Sequence, residues 1–265
     1  MSYECFEVST EGGVAHLKMS RPERRNAMTL AFWRELPEIV RGLDAEGKTR
    51  VLVLSSTGPH FCAGLDVSLF QGNDSFQTNS LEGRQKFRKK LEELQSSLNS
   101  LADARFPVIA AIQGGCIGGG VDLATACCLR YATREAWFVI QEINIGMMAD
   151  VGTFNRMPKQ LPEAVVRELG YTGDKLTAER AERLGFVNGL FESHDALVAG
   201  ALEVARRIAS KAPVAVAATK EMISYTRDHT VAESFEYLNA LQPGIFSIED
   251  IKQALAGTTR AGKKS

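Results

Sequence analysis

The sequence lacks the features that mark a nucleic-acid-binding, membrane-spanning or secreted protein. Its 31 Lys and Arg residues balance 32 Asp and Glu, and the formal net charge of -1 gives no overall field that would attract nucleic acid or an anionic membrane. No apolar run reaches the roughly 18 residues of a transmembrane helix. The chain starts with acidic rather than basic residues, so neither a signal peptide nor a transit peptide is predicted.

Cysteine and histidine are too few and too scattered for a metal site or a nucleophilic site. The 5 cysteines are odd in number and have no C-x-x-C spacing, and the 4 histidines form no pattern with them. No G-x-S-x-G motif is present, so a serine nucleophile is not predicted. Free thiols fit a reducing compartment, and we expect a cytoplasmic protein without a metal.

What the sequence does contain is a change of pattern along its 265 residues. In the first half, short apolar runs alternate with helical periodicity, which is typical of an α/β fold. Strands are predicted at 5–8, 14–19, 51–55 and 108–113, and helices at 30–43, 81–104 and 119–128. Beyond about residue 162 a strand is predicted at 187–191, and helices at 194–211, 213–226, 232–241 and 248–255. We therefore predict an α/β core over residues 1–200 and a helical region over 201–265, with a surface loop at 70–80.

Two glycine-rich motifs imitate nucleotide-binding sites. Residues 42–49 (GLDAEGKT) match the phosphate-loop pattern, but a helix precedes them and a strand follows, which is the reverse of a phosphate loop. Residues 114–120 (GGCIGGG) lie between a strand and a helix, yet no register gives G-x-G-x-x-G. The second motif nevertheless lies at the start of a predicted helix, where free backbone amides stabilise a small negatively charged group.

A second small-residue turn follows the strand at 51–55, and with it the chain resembles the crotonase, or enoyl-CoA hydratase/isomerase, superfamily over nearly its whole length. The matching landmarks are Arg21-Pro22 with Asn26-Ala27, FCAGLD at 61–66, GGCIGGGVDL at 114–123, and Gly152-Thr153. The resemblance implies a crotonase-like spiral of β-β-α units. It also implies that residues 201–265 are a helical oligomerisation region, and that the protein is a homotrimer or a dimer of trimers.

The resemblance also implies a substrate site. In that family the backbone amides matching Ala63 and Gly119 form an oxyanion hole for the thioester of an acyl-CoA, and the segment after the first amide lies along the coenzyme. Removing a proton next to a thioester puts negative charge on its oxygen, which two fixed N–H donors stabilise. The substrate-binding residues implied are Ala63, Gly64, Leu65, Asp66, Val67 and Gly119. Coenzyme A enters as part of the substrate, so no cofactor is expected.

Three acids lie in or just after the glycine-rich region: Asp122, Glu142 and Asp150. Glu142 and Asp150 have apolar neighbours, and burial would raise their pKa toward the range of general acid–base catalysis. Each alone is equally compatible with a capping or turn carboxylate. Together they resemble the pattern of the Δ3,5-Δ2,4-dienoyl-CoA isomerases, whereas typical hydratases carry Glu at the position of Asp122 and Gly at that of Asp150.

The resemblance thus implies an isomerase that converts 3,5-dienoyl-CoA into 2,4-dienoyl-CoA in the β-oxidation of unsaturated fatty acids. Glu142 is expected to remove the C2 proton, Asp150 to deliver a proton at C6, and Asp122 to tune Glu142. The sequence leaves open whether Glu142 and Asp150 exchange roles. It also leaves open an enoyl-CoA hydratase, which Asp122 and Asp150 disfavour, and a non-catalytic acyl-CoA-binding or RNA-binding relative.

Overall fold

The computed structural model describes residues 3–70, 76, 78–249 and 251–252, which fall into two compact units that divide between Ala209 and Ser210. The strands are β1 (Phe6–Glu11), β2 (Val14–Met19), β3 (Val51–Ser56), β4 (Val108–Ile112), β5 (Gly115–Ile117), β6 (Leu129–Thr133), β7 (Trp137–Val139), β8 (Leu176–Thr177) and β9 (Gly189–Phe191). The helices are α1 (Leu30–Glu46), α2 (Leu81–Asp103), α3 (Gly119–Ala126), α4 (Thr153–Arg156), α5 (Glu163–Thr172), α6 (Ala178–Arg183), α7 (His194–Ala209), α8 (Pro213–Asp228) and α9 (Val231–Ile245).

The first unit is built on a six-stranded sheet with the order β1-β2-β3-β4-β6-β9. β1 and β2 form an antiparallel hairpin, and every later neighbour in the sheet is parallel. All residues of β3 and β4 are buried, as expected for central parallel strands that are covered on both faces. These two strands end at the loops that carry the small-residue motifs, so the sheet delivers both motifs to the same edge.

A second, three-stranded sheet has the order β5-β7-β8 and lies directly after β4 in the chain. β5 runs parallel to β7, and β7 runs antiparallel to β8. An isolated bridge joins Cys62 to Cys116, and a second bridge joins Met28 to Leu65. The loop after β3 is therefore tied to β5 on one side and to the segment before α1 on the other.

Helix α7 packs on the sheet of the first unit. Its residues Leu197, Ala201, Ala205 and Ala209 are buried at a spacing of four, and they share a core cluster with residues of β3 and β4. The predicted boundary near residue 200 therefore falls inside α7. The compact division comes at the end of that helix instead.

The second unit contains α8 and α9, which match the helices predicted at 213–226 and 232–241. α9 begins with a capping box in which the Thr230 hydroxyl accepts from the Glu233 amide and the Glu233 carboxylate accepts from Thr230. α8 buries no side chain, and several large apolar side chains of both helices are exposed, among them Val214, Ile223, Val231 and Phe235. Of the predicted helix at 248–255, residues 250 and 253–255 lie outside the described residues.

Several elements were not predicted from the sequence: the short strands β5 to β8 and the helices α4 to α6. The predicted loop at 70–80 is described only in part, since 71–75 and 77 lie outside the described residues; a 3-10 turn covers Val67–Phe70. Within the part of the chain that is described, no helix combines the length and the hydropathy that a membrane span requires.

Candidate active site

The loop that follows β3 is held against β5 and the turn before β5 by three backbone hydrogen bonds. The amide of Phe61 donates to Gln113, that of Cys62 to Gly115, and that of Ile117 back to Cys62, over 2.8 to 3.2 Å. Gly64 comes next in the loop with a φ of +83°, and a β-carbon there would lie 2.7 Å from the Ile117 carbonyl oxygen and 3.2 Å from the Gly119 nitrogen. Only glycine allows this approach, which brings the two small-residue motifs together.

The structure corrects one of the two predicted oxyanion donors. The Ala63 amide donates to the Arg25 carbonyl over 3.0 Å and is therefore already engaged. The Leu65 amide lies beside Gly119 instead, since a β-carbon on Gly119 would be 3.5 Å from the Leu65 nitrogen. Neither the Leu65 nor the Gly119 amide donates to any described residue. The two amides available for a shared oxygen are thus those of Leu65 and Gly119.

The remaining predicted substrate-binding residues have different environments. Asp66 is buried, accepts from the Ser68 amide over 3.0 Å and lies 3.4 Å from the Arg24 guanidinium. The hydrogen bonds from Ser68, followed by the charge of Arg24, hold the pKa of Asp66 below its ordinary value. Val67 is exposed at the start of a 3-10 turn. Asp66 therefore stabilises its own loop, and the neighbouring Val67 side chain faces solvent.

Asp122 lies in the first turn of α3 and is completely buried. Its Oδ1 accepts from the Thr153 amide over 2.5 Å, while Oδ2 has no partner among the described residues. Burial raises the pKa of Asp122 to about 6, and the charge of Asp150 adds to the rise. The hydrogen bond from Thr153 and the charge of Arg156 act in the opposite direction.

Glu142 lies in a 3-10 turn, Gln141–Ile145, and points at the start of α3. A β-carbon on Gly118 would be 3.0 Å from its Oε1, and its buried Oε2 has no partner among the described residues. Burial raises the pKa of Glu142 to about 7, followed by the like charges of Asp122 and then Asp150. An acid that titrates near neutrality can act as a base or as an acid in the same cycle.

Asp150 completes the cluster. Burial raises its pKa, and its charge acts on both Asp122 and Glu142. Its backbone carbonyl accepts from Gln95 Nε2 of α2 over 2.7 Å, which fixes the backbone at this acid. The structure thus brings together the three acids that the sequence singled out. Because their charges repel one another, they titrate as a coupled group and not independently.

The residues that hold this cluster were not predicted from the sequence. Arg156 ends the short helix α4 and donates from Nη2 to Asn99 of α2. Gly152 has a φ of +141°, and a β-carbon there would collide with the Arg156 guanidinium. In the loop after β3, His60 Nδ1 accepts from the Gly115 amide over 3.0 Å and so supports the start of β5. The Arg156–Asn99 and His60–Gly115 contacts join distant parts of the chain, so no local motif predicts them.

A pocket of about 550 Å³ lies beside the segment that carries Glu142 and Asp150. Its lining is mostly apolar and includes Ile140, Ile143, Met148, Ala149, Phe154 and Val166. Such a lining suits a hydrocarbon group better than a charged one.

Comparisons with known proteins identify the family. The sequence model described as Enoyl-CoA hydratase/isomerase matches residues 9–262. The mitochondrial Delta(3,5)-Delta(2,4)-dienoyl-CoA isomerase of Homo sapiens is 37% identical over 263 residues, 97% of this chain and 80% of the relative. The peroxisomal isomerase of the same name from Arabidopsis thaliana is 34% identical, over 96% of this chain and 94% of the relative.

A solved structure gives the same result for the fold. The crystal structure of enoyl-CoA hydratase from Bacillus anthracis superimposes with a TM-score of 0.87 at 26% identity, covering 97% of each chain. The predicted crotonase-like fold is therefore confirmed, and so is the resemblance on which it was based. This chain belongs to the enoyl-CoA hydratase/isomerase family.

Proposed function

We propose that this protein is a Δ3,5-Δ2,4-dienoyl-CoA isomerase. The observation that carries the proposal is the cluster of Asp122, Glu142 and Asp150 beside two available amides, with burial raising the pKa of all three acids. Isomerases of this name are 34% and 37% identical to the chain over almost its whole length. Both lines of support point to the same reaction.

The reaction removes a proton at one end of a five-carbon unit and adds a proton at the other end. Ionised Glu142 removes a proton from C2 of a 3,5-dienoyl-CoA, and the C–H electrons form a trienolate whose charge extends from the thioester oxygen to C6. The Leu65 and Gly119 amides hold the oxygen, and each such donor stabilises the intermediate by about 2.7–4 kcal/mol. Protonated Asp150 then delivers a proton to C6, which leaves double bonds at C2 and C4. The catalyst returns to its starting state when the proton passes from Glu142 back to Asp150.

The three raised pKa values suit this cycle. With a pKa of about 7, Glu142 is partly ionised at neutral pH, and it is a stronger base than an ordinary carboxylate. The like charge of Asp122 is part of the reason, so Asp122 tunes the base without touching the reacting carbons. Burial favours the protonated form of Asp150, which is the form that donates.

Asp150 also separates this proposal from the hydratase alternative. Water addition across a single double bond needs two carboxyl groups near C2 and C3, whereas the dienoyl reaction needs a further acid that reaches C6. In this chain the further acid is present and half-buried, and its backbone carbonyl accepts a hydrogen bond from Gln95. The isomerase is therefore favoured over the hydratase and over a non-catalytic acyl-CoA-binding or RNA-binding protein.

The test is a pair of ultraviolet assays on the purified chain, one with a 3,5-dienoyl-CoA and one with crotonyl-CoA. We expect growth of the long-wavelength band of a conjugated 2,4-dienoyl thioester, and a loss of about 10²- to 10⁴-fold in Asp150→Asn. Asp174→Asn, which removes an exposed carboxylate of the same unit, is the matched control and should leave the rate unchanged. Full activity of Asp150→Asn, or bleaching of crotonyl-CoA alone, would contradict the proposal.

The proposed reaction uses only proton transfer, so it requires no redox cofactor and no metal. Its partner is the acyl-CoA thioester itself, and nothing in the proposed chemistry involves nucleic acid or a membrane. The relatives described above are named mitochondrial and peroxisomal, so the cytoplasmic location stays a prediction from the sequence.

We further propose that α8 and α9 serve oligomerisation, in a homotrimer or a dimer of trimers. The support is the absence of buried side chains in α8 and the exposure of Ile223 and Phe235, which are 67% and 59% accessible. Exposed apolar side chains of this size favour a protein contact. Light scattering on the full chain should give three or six copies; a stable monomer would refute this assignment.

A further inference from the structure

The acid cluster has a cationic neighbour, Arg156, whose contacts are well defined. Arg156 is the last residue of α4, and Thr153, the first residue of the same helix, donates its amide to Asp122 Oδ1 over 2.5 Å. The Arg156 guanidinium lies against Gly152, the residue before Thr153, so its charge is close to the acid that the Thr153 amide binds. The charge of Arg156 acts on Asp122 and opposes the effect of burial.

The guanidinium is fixed from α2 and from the backbone. Arg156 Nη2 donates to the Asn99 side chain of α2, and the Arg156 amide donates to the Gly152 carbonyl over 3.0 Å. The missing β-carbon of Gly152 makes room for the guanidinium. A side chain that is held in this way acts at a constant place, whereas a mobile arginine would spread its charge over many positions.

Helix α2 supports the acid-bearing segment at two points. Gln95 and Asn99 are four residues apart and so lie on one face of the helix. Gln95 binds the Asp150 carbonyl at the start of the segment, and Asn99 binds Arg156 at its end. The spacing of one helical turn on α2 thereby fixes both ends of 150–156.

We propose that Arg156, held by Asn99, is a positioning residue of the isomerase site: its charge keeps Asp122 ionised, and ionised Asp122 keeps Glu142 a strong base. For its catalytic part this inference rests on the proposed function. Asp122 touches no reacting atom in that mechanism, and Arg156 acts one step further away. Its role is to decide where the protons of the cluster lie before the substrate binds.

The other groups around Asp122 do not replace this cation. Glu142 and Asp150 face it with like charge, and the thiol of Cys116 on β5 is buried, which raises its pKa well above the ordinary range and keeps it neutral. From α2 the neutral amide of Asn99 reaches the cluster through Arg156. Among the described residues whose charge acts on Asp122, Arg156 is the one that favours its ionised form.

The Thr153 amide offers a direct readout, because it donates to Asp122 and its nitrogen chemical shift follows the ionisation of that acid. In Arg156→Met we expect the pH midpoint of this shift to rise by about one pH unit, a tenfold change in the ionisation constant. Arg156→Lys keeps the charge and should keep the wild-type midpoint. Asn99→Ala frees the guanidinium and should raise the midpoint by less than Arg156→Met does.

The same variants make a kinetic prediction. At about pH 6, kcat/KM of Arg156→Met should fall about fivefold, and the loss should largely disappear near pH 9, where Asp122 is ionised without help. Arg183→Met, which removes an exposed arginine of α6, is the matched control and should alter neither the profile nor the midpoint.

The two readouts separate this inference from the proposed function. If the wild-type chain is inactive on dienoyl-CoA while the Thr153 midpoint rises in Arg156→Met, the isomerase assignment fails and the charge effect of Arg156 stands. An unchanged midpoint in a folded Arg156→Met protein would overturn the inference, even if that variant melts at a lower temperature. Should Arg156→Met not fold, an unchanged midpoint in Asn99→Ala would overturn it as well.

Discussion

Replacing Asp122 by Asn should make the protein more stable at neutral and alkaline pH. The Asn Oδ1 can still accept from the Thr153 amide, so the change keeps the hydrogen bond and removes the buried charge. Burial raises the pKa of this acid from 3.8 to about 6 in the folded chain. The folded protein therefore holds a proton that the unfolded chain releases at lower pH, and the free energy of unfolding falls as the pH rises between these two values.

The magnitude follows from the same two pKa values. Above pH 6 the folded chain must carry an ionised Asp122, and the difference from 3.8 corresponds to about 3 kcal/mol of lost stability. At pH 5 the folded acid is still mostly protonated, and the loss is about half as large. Because Asp122 is completely buried, solvent screens this effect very little. Asp122→Asn should recover most of the loss at pH 8 and a smaller part at pH 5.

Urea titrations at pH 5 and pH 8, at one protein concentration, provide the measurement. The free energy of unfolding of Asp122→Asn should exceed that of the wild type by about 3 kcal/mol at pH 8, and by about half of this at pH 5. Asp174→Asn, an exposed acid, should show no such pH dependence. A variant that is less stable than the wild type at pH 8, or an equal gain at both pH values, would refute the assignment of a raised pKa to Asp122.

Two further predictions concern the support of the acids. Gln95→Leu removes the hydrogen bond to the Asp150 carbonyl. We expect kcat on a 3,5-dienoyl-CoA to fall about tenfold with little change in KM, because only the geometry of proton delivery is disturbed. An unchanged kcat would show that the bond does not position Asp150. Gly152→Ala places a β-carbon against the Arg156 guanidinium at a φ of +141°. The free energy of unfolding should fall by about 2–3 kcal/mol, and differential scanning calorimetry should show a lower Tm. A Tm equal to that of the wild type would mean that the guanidinium can move aside.

The sequence identified the three acids that the structure brings together, but it did not identify which two backbone amides are open. Asp122, Glu142 and Asp150 stand out because acids amid apolar or glycine-rich residues are rarely only solvated. The Ala63 amide is not available because it donates to the carbonyl of Arg25, a residue whose backbone has a φ of 51°. A left-handed backbone at an arginine leaves no trace in sequence periodicity. The prediction therefore fell on Ala63, two residues before the amide that lies beside Gly119.

The fold shows the same division. The long strands β2 and β3 and the helices α1 and α2 have enough residues to display a period, and they were predicted within a few residues of their observed ends. The strands β5, β7 and β8 have only two or three residues each, and their pairing in the second sheet comes from tertiary contacts. Arg156 and Asn99 meet across 57 positions in the chain, so their pairing could not be predicted from local patterns.

The way in which the acids are held bears on the kind of proton they transfer. Asp122 Oδ2 and Glu142 Oε2 are buried and have no partner among the described residues, while the contacts from Thr153 and Gln95 go to the other Asp122 oxygen and to a backbone carbonyl. A carbon-bound proton forms only a weak hydrogen bond, so a base that removes it cannot be oriented by its substrate. The base must be oriented by the protein and keep one oxygen open. This arrangement suits the removal of a C2 proton. It also explains why the supporting hydrogen bonds from Thr153 and Gln95 leave one carboxylate oxygen of Asp122 and the Asp150 side chain open.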